Sequence, residues 1–424
     1  MQKKVITTRR HFLKTSSVMT SAALAGTLSW DRQVHANSAK QWKVAIVMDT
    51  TNPKARGHGL HLAYRGLPNV EVVAHVDGNT NDVEKKLVMT HAKRFYPSVE
   101  TMLEKETPDI VVLDSRLPGD HLVPIRQVSA KGCHIYCEKP LTAFLHEADE
   151  IVKIAEEKKI KIAMAHPCRN ALGFVTMKRL VDSGKIGTPL TIHGWGKCDH
   201  RGGGEDLMVL GTHILDLMLF FFGQPQRITS DIRNEGRPAL TTELTKTVEP
   251  IGPAIGDEIY AVFRFPNAVQ GTFESRRGLY TGATHRMGIC VTGSKGMLTL
   301  RFPEGQTESP LRFSNAPCAP DGETFHEVIE LKEDRVISGA EPMESSIPGP
   351  IYVKAGRFAF WDLMQSIIED RQPITNVYDA RMVAEMIYGV YASHLAGRPV
   401  DFPLTDRSHP LARFDSLTSN HPTV

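Results

Sequence analysis

Glu138-Lys139-Pro140 directly follows the apolar run His134-Ile135-Tyr136-Cys137. A lysine at the end of a buried strand is stripped of water, and a desolvated ammonium exchanges its proton readily. Lys139 is therefore a candidate to donate or accept a proton in a reaction. A second polar stretch, Gly202-Gly203-Gly204-Glu205-Asp206, opens a long apolar segment that carries His213 and Asp216. Between the two lies His166-Pro167-Cys168-Arg169-Asn170, where the hydrophobic pattern changes. Arg169 and Asn170 are candidates to bind substrate there, or to hold the crossing together.

These residues need elements to position them. From residue 42 to about 166, short β-branched runs (44–48, 70–76, 110–114, 134–137 and 160–165) alternate with amphipathic stretches (59–66, 83–91, 99–106, 121–131 and 146–158). Near-continuous apolar strands separated by helices specify a parallel sheet covered on both faces. The expected fold class is thus α/β followed by α+β. A doubly wound dinucleotide-type domain spans 37–166, and a second domain at 167–424 carries an open, mainly antiparallel sheet. In that second domain Pro266-Asn267-Ala268 and Gly293-Ser294-Lys295-Gly296 are hairpin turns, 207–222 is one long helix, and late helices lie near 358–369 and 380–395. The Pro-, Gly- and Ser-rich stretch 303–350 is expected as a surface excursion.

A parallel sheet binds ligands at the carboxyl ends of its strands, and a dinucleotide domain places glycines just after the first strand. Here that strand is followed by Asp49-Thr50-Thr51-Asn52-Pro53-Lys54-Ala55-Arg56 before Gly57 and Gly59 arrive, with no Gly-x-Gly-x-x-Gly. Gly57-His58-Gly59 is still able to open a helix with amides facing a phosphate, with Arg56 and Lys54 adding charge and Thr50 and Thr51 offering hydroxyls. An ordinary strand-to-helix loop has the same composition. Asp77, at the end of the second strand, stands where an acid accepts hydrogen bonds from ribose hydroxyls and repels a 2′-phosphate, which favours NAD over NADP. A turn acid occupies the same place. Glu138 and Lys139 join these as cofactor-side candidates.

The Glu-Lys-Pro tripeptide at 138–140 and the Gly-x-His-x-x-Asp pattern at 211–216 together resemble the Gfo/Idh/MocA family (glucose–fructose oxidoreductase, inositol dehydrogenase and rhizopine-catabolism proteins). Val181–Gly187 and Gly293–Leu300 are similar to segments of that family, and the resemblance runs from about Trp42 to the C-terminus. It implies that Lys139 and His213 move a proton to and from a substrate hydroxyl while a hydride passes to a nicotinamide. It also implies a cis bond before Pro140 and a homo-oligomer. Val209 stands where the family carries an aspartate four residues before the histidine, and a valine neither orients an imidazole nor holds a hydroxyl. On a continuous helix Asp206 shares a face with Val209 and His213, so Asp206 is expected to supply the missing carboxylate. An acid in the first turn of a helix also stabilises the helix dipole.

The N-terminus carries Thr7-Thr8-Arg9-Arg10-His11-Phe12-Leu13-Lys14, a modest apolar run from Val18 to Trp30, and small residues at Val34-His35-Ala36. This is the layout of a twin-arginine export signal over 1–36, and it implies the twin-arginine machinery as partner, a periplasmic or exported address and no membrane anchor after cleavage. The whole chain has a formal net charge of +2. The signal holds six of its bases and one acid (Asp31), so the mature chain is slightly acidic and excludes a nucleic-acid partner. Six cysteines show neither a metal-site rhythm nor a disulfide framework. The expected function is an NAD-dependent oxidoreductase for a carbohydrate or polyol hydroxyl, with the cofactor held tightly so that it travels inside the folded protein. Two alternatives stay open: a glycoside hydrolase or lyase cycling bound NAD, and a non-catalytic sugar-binding protein.

Overall fold

The computed structural model describes residues 40–280, 287–303, 308–316, 327–343, 347 and 349–411. The export-signal segment and Cys318 lie outside them.

Six strands form one parallel sheet: β1 (Trp42–Val47), β2 (Val70–Val76), β3 (Arg94–Tyr96), β4 (Ile110–Leu113), β5 (His134–Cys137) and β6 (Ile162–Met164). Their order is β3-β2-β1-β4-β5-β6. β4 reads Ile-Val-Val-Leu and is buried throughout, as a strand covered on both faces must be. Four helices connect them: α1 (Val83–Thr90), α2 (Val99–Lys105), α3 (Leu122–Ser129) and α4 (Leu145–Lys158). The strand order reverses between β1 and β4, which leaves a crevice outside their carboxyl ends.

Two features depart from the sequence expectation. β3 is three residues long, too short to show a period of two, and is absent from the strands expected from the sequence. No α-helix follows β1: the expected helix at 59–66 is replaced by two 3-10 turns, Pro53–Ala55 and Leu60–Leu62.

After residue 166 come α5 (Leu172–Asp182), β7 (Pro189–Trp195), α6 (Gly204–Val209), α7 (Gly211–Phe222), β8 (Arg227–Asn234), β9 (Arg237–Pro238), β10 (Glu258–Arg264), β11 (Gln270–Arg276), β12 (Gly288–Gly293) and β13 (Gly296–Arg301). β14 (Leu311–Ser314), β15 (Glu327–Ile329), α8 (Pro350–Ile368), α9 (Val377–Ala396) and β16 (Val400–Asp401) complete the elements of the described residues. The second sheet has ten strands, all paired antiparallel except β7 with β11. Both expected hairpins are present, β10–β11 and β12–β13. The stretch expected as a surface excursion contributes β14 and β15 to this sheet.

The late helices return to the first sheet. Ala359, Phe360, Leu363 and Met364 of α8 share a buried cluster with Val44, Ile46, Tyr64 and Val112. On the other face, Val377, Ala380, Ala384 and Tyr388 of α9 pack with Ile135, Ile151 and Met164. The parallel sheet is therefore covered partly by residues from the far end of the chain, and the crevice is fixed against α8.

Candidate active site

Lys139 leaves the end of β5 on a cis peptide bond to Pro140 and is almost fully buried. Its Nζ donates to the backbone oxygen of Val209 at 3.1 Å. That oxygen is available because α6 stops at Val209 and α7 begins at Gly211, and carbonyls at a helix end lack an intrahelical donor. His213 sits in the first turn of α7, edge-on to His166 and Phe302 at centroid distances of 5.6 and 6.1 Å. Its Nδ1 is buried and has no protein partner.

Lys139 and His213 line the same cavity, of about 510 Å³. The rest of its wall is mostly apolar, with Leu60, Ala63 and Tyr136 from the first domain and Leu210, Phe302 and Tyr352 from later elements. A largely apolar wall with a few convergent polar groups is the usual form of a small-molecule site.

Both polar groups are shifted toward their neutral forms. Burial lowers the Lys139 pKa below that of an ordinary lysine, with Glu138 and Glu249 opposing and Arg201 and Arg116 reinforcing the effect. Burial also takes His213 well below its usual value, helped by the charge on Lys139. In its neutral form either group, facing one cavity, is able to take up a proton from a bound hydroxyl.

Glu138 lines the same cavity. Its Oε1 accepts from the His58 amide at 2.9 Å and from His58 Nδ1 at 2.6 Å, and its Oε2 accepts from the Lys139 amide at 2.8 Å. Burial acts to raise its pKa, but the contacts with His58 and Lys139 prevail and hold it at about 2. Asp114, one residue beyond β4, accepts from the Leu60 amide at 2.8 Å. Burial first, then the Glu138 charge, pushes Asp114 up to about 8. Gly57 is required by this packing, since a Cβ there would run into the Asp114 carbonyl.

The remaining cofactor-side candidates are also bonded within the protein. Asp77 is fully buried. It accepts from the Thr50 amide and hydroxyl at 3.2 and 2.6 Å, from the Asn79 amide at 2.9 Å, and from Lys86 Nζ at 3.0 Å. Burial opposes ionisation, but these donors keep its pKa below the ordinary value. The Thr51 amide and hydroxyl and the Asn52 amide donate to Asp49. Arg56 and Gly59 lie on the same loop, Arg56 exposed and Gly59 lining the cavity.

Asp206 is not brought to His213. Because the helix breaks at Leu210, a spacing of seven no longer keeps the two residues on one face. Its carboxylate instead accepts from Ser275 Oγ at 2.5 Å and from the Cys198 and Lys197 amides at 3.1 and 3.4 Å, tying α6 to the ends of β7 and β11. Arg169 is equally internal: its guanidinium spans Asp216 of α7, Asp379 of α9 and the Ile374 carbonyl. Asn170 is fully buried, and neither atom of its side-chain amide has a protein partner. Neither residue is part of the cavity wall.

Lys197, just after β7, also lines the cavity, as does His58. Tyr352 and Phe302 come from segments where only three-dimensional proximity reveals a role. Cys133, Cys137 and Cys168 are buried free thiols.

Two family models match the chain: "Oxidoreductase family, NAD-binding Rossmann fold" over residues 26–166, and "GFO/IDH/MocA C-terminal domain" over 174–299. Together they span well over half of its length. The chain belongs to the GFO/IDH/MocA oxidoreductase family. Curated relatives of this family member include a scyllo-inositol 2-dehydrogenase (NADP+) of Bacillus subtilis, 26% identical over 42% of this chain and 46% of that protein. Another is a levoglucosan dehydrogenase of Pseudarthrobacter phenanthrenivorans, 23% identical over 50% of this chain and 60% of that protein. The matches span about half to two thirds of those relatives' lengths. Among solved structures, levoglucosan dehydrogenase in complex with NADH and levoglucosan superposes with a TM-score of 0.66 at 16% identity, covering 86% of this chain and 100% of that one. An oxidoreductase from Agrobacterium radiobacter in complex with NAD+, L-tartaric acid and magnesium gives 0.65 at 14% identity, covering 85% and 98%. At these identities the structural likeness establishes the fold.

The family implies a nicotinamide dinucleotide. The site fits that group at the Lys139 end, where the loop after β1 and the end of β5 line the apolar cavity and the His213 Nδ1 is unpartnered. At the diphosphate end the amides of Thr50, Thr51, Asn52, His58 and Leu60 already bond to carboxylates, and exposed Lys54 and Arg56 are the cations on that loop.

Proposed function

We propose that this chain is an oxidoreductase acting on one hydroxyl-bearing carbon of a small sugar or polyol, with a nicotinamide dinucleotide as hydride partner. The observation that carries this reading is the placement of Lys139 and His213, both shifted toward the neutral state, on one largely apolar cavity. The dinucleotide would supply the acceptor for the carbon-bound hydrogen. The chain's own work is the proton. Neutral Lys139 exchanges its bond to the Val209 oxygen for one to the substrate hydroxyl and takes up the hydroxyl proton as the carbon becomes a carbonyl. His213 offers an unpartnered nitrogen to the same or a neighbouring hydroxyl, and the apolar wall excludes water.

NAD is placed ahead of NADP because the carboxylate of Asp77 stays ionised at the end of β2. Its pairing with Lys86 reduces the repulsion of a 2′-phosphate, so the expected preference is small. The Arg9-Arg10 segment supports export by the twin-arginine route, and the open second sheet supports a homo-oligomer.

A non-catalytic sugar-binding role is favoured by one observation, the carboxylates that already occupy the loop after β1. Incubation with NAD+ and a panel of aldoses, cyclitols and anhydrosugars separates the readings. Oxidoreduction gives one reduced nicotinamide and one carbonyl product per turnover. Glycoside cleavage without accumulation of reduced nicotinamide would indicate a redox-neutral cycle. Sugar binding with neither outcome would leave the binding role.

A further inference from the structure

Four neighbouring strands of the parallel sheet each end in an acid: Asp49 after β1, Asp77 after β2, Asp114 after β4 and Glu138 after β5. All four turn toward the same segment. The amide of Thr50 donates to Asp77, those of Thr51 and Asn52 to Asp49, that of His58 to Glu138 and that of Leu60 to Asp114. In a dinucleotide domain the amides of this loop face a diphosphate, and glycines let the backbone come close. Here the loop has Asp49 at its head, and the amides of Thr50, Thr51, Asn52, His58 and Leu60 are bonded to carboxylates of the protein itself.

We propose that these carboxylates compete with a diphosphate for the amides of the loop, and that Asp49 is the residue that sets dinucleotide affinity low. The inference rests on reading this crevice as the dinucleotide site. A diphosphate entering it must displace acceptors from amides that are already bonded, and its charge then lies against ionised carboxylates. The four acids are not equivalent. Asp77 is paired with Lys86, and Glu138 with His58. Asp114, at a pKa of about 8, is largely protonated at neutral pH. Asp49 is the one partly exposed acid of the four, it holds two consecutive amides, and it bonds only to residues within its own loop. The consequence is a loosely held, exchangeable dinucleotide, the opposite of the tightly carried cofactor that the sequence suggested.

The test is direct binding of NADH to the full chain, followed by fluorescence, for wild type, Asp49→Gly and Asp49→Asn, with adenosine as a ligand that lacks phosphate. Asp49→Gly is expected to tighten NADH binding by on the order of tenfold or more, and Asp49→Asn by less, because the amide side chain keeps the caps and loses the charge. Adenosine affinity should not change. Unchanged or weaker NADH binding in both variants overturns the proposal, and so does a gain confined to the glycine variant, which would place the effect on backbone freedom. Tightened binding without hydride transfer to any sugar would count against the oxidoreductase reading and leave this inference standing.

Discussion

The ammonium nitrogen of Lys139 lies 3.1 Å from the carbonyl oxygen of Val209, across the junction between the parallel sheet and the second domain. Val209 fills the position at which the sequence pattern calls for an acid. What the lysine uses there is backbone, which any residue supplies, provided the helix breaks after it. The break between α6 and α7 therefore does the work that a side chain was expected to do.

Lys139→Met should lower turnover by roughly 10²- to 10⁴-fold, the usual contribution of a positioned proton-transfer group. Lys139→Arg should fare no better, because a guanidinium stays charged. In the oxidative direction the rate should rise with pH as the amine becomes neutral. Since burial lowers the lysine pKa from 10.5, the midpoint should fall below that value. A pH–rate profile with no basic-side rise, or an arginine variant of full activity, would contradict this role.

Asp206 makes its bonds to Ser275, Cys198 and Lys197, away from the imidazole. Asp206→Ala should therefore destabilise the fold by about 1–3 kcal/mol for each buried donor left unpaired. Its effect on turnover should disappear at temperatures where the variant is fully folded. Chemical denaturation alongside kinetics on the folded variant tests both halves.

Arg169 binds Asp216 with two nitrogens and also holds Asp379. Arg169→Met strands a buried carboxylate in the core, and a loss of about 3–5 kcal/mol is expected from breaking such a pair. If Arg169 instead served the substrate, the variant would keep its stability and lose affinity for the sugar, and a thermal melt would tell the two apart.

Asp114 gives a pH signature. Its pKa is raised from 3.8 to about 8 on folding, so the folded chain binds the proton more tightly than the unfolded chain. That contribution is fully present below pH 3.8 and is lost as pH climbs toward 8. Asp114→Asn keeps an acceptor for the Leu60 amide and cannot ionise. The stability of the variant relative to wild type should therefore grow between about pH 5 and pH 8. A difference independent of pH would rule out a protonated Asp114.

The parallel sheet was legible because its strands are apolar on both faces, and β4 is the plainest case. Lys139 was legible for the same reason: a charged residue directly after such a strand needs a purpose. The loop after β1 was only partly legible because composition shows which residues are present and not which amides are already bonded. A glycine at 57 is also required by the Asp114 carbonyl, a packing reason the sequence does not reveal. Asp206 was misassigned because the run 207–222 is predominantly apolar with helical spacing, which hides a break at Leu210. His58 could not be given a partner from the sequence, since Glu138 is 80 residues away.

The central claim is that Lys139 and His213 exchange the proton of a sugar hydroxyl during hydride transfer. The most direct measurement is reduction of NAD+ by a panel of sugars and polyols, for wild type and for Lys139→Met, with NADH binding followed in parallel. At least one compound should support reduction by wild type, with the variant losing turnover and retaining NADH affinity. Equal turnover by the variant, or no reduction by wild type with any compound in a panel whose members bind, would contradict it.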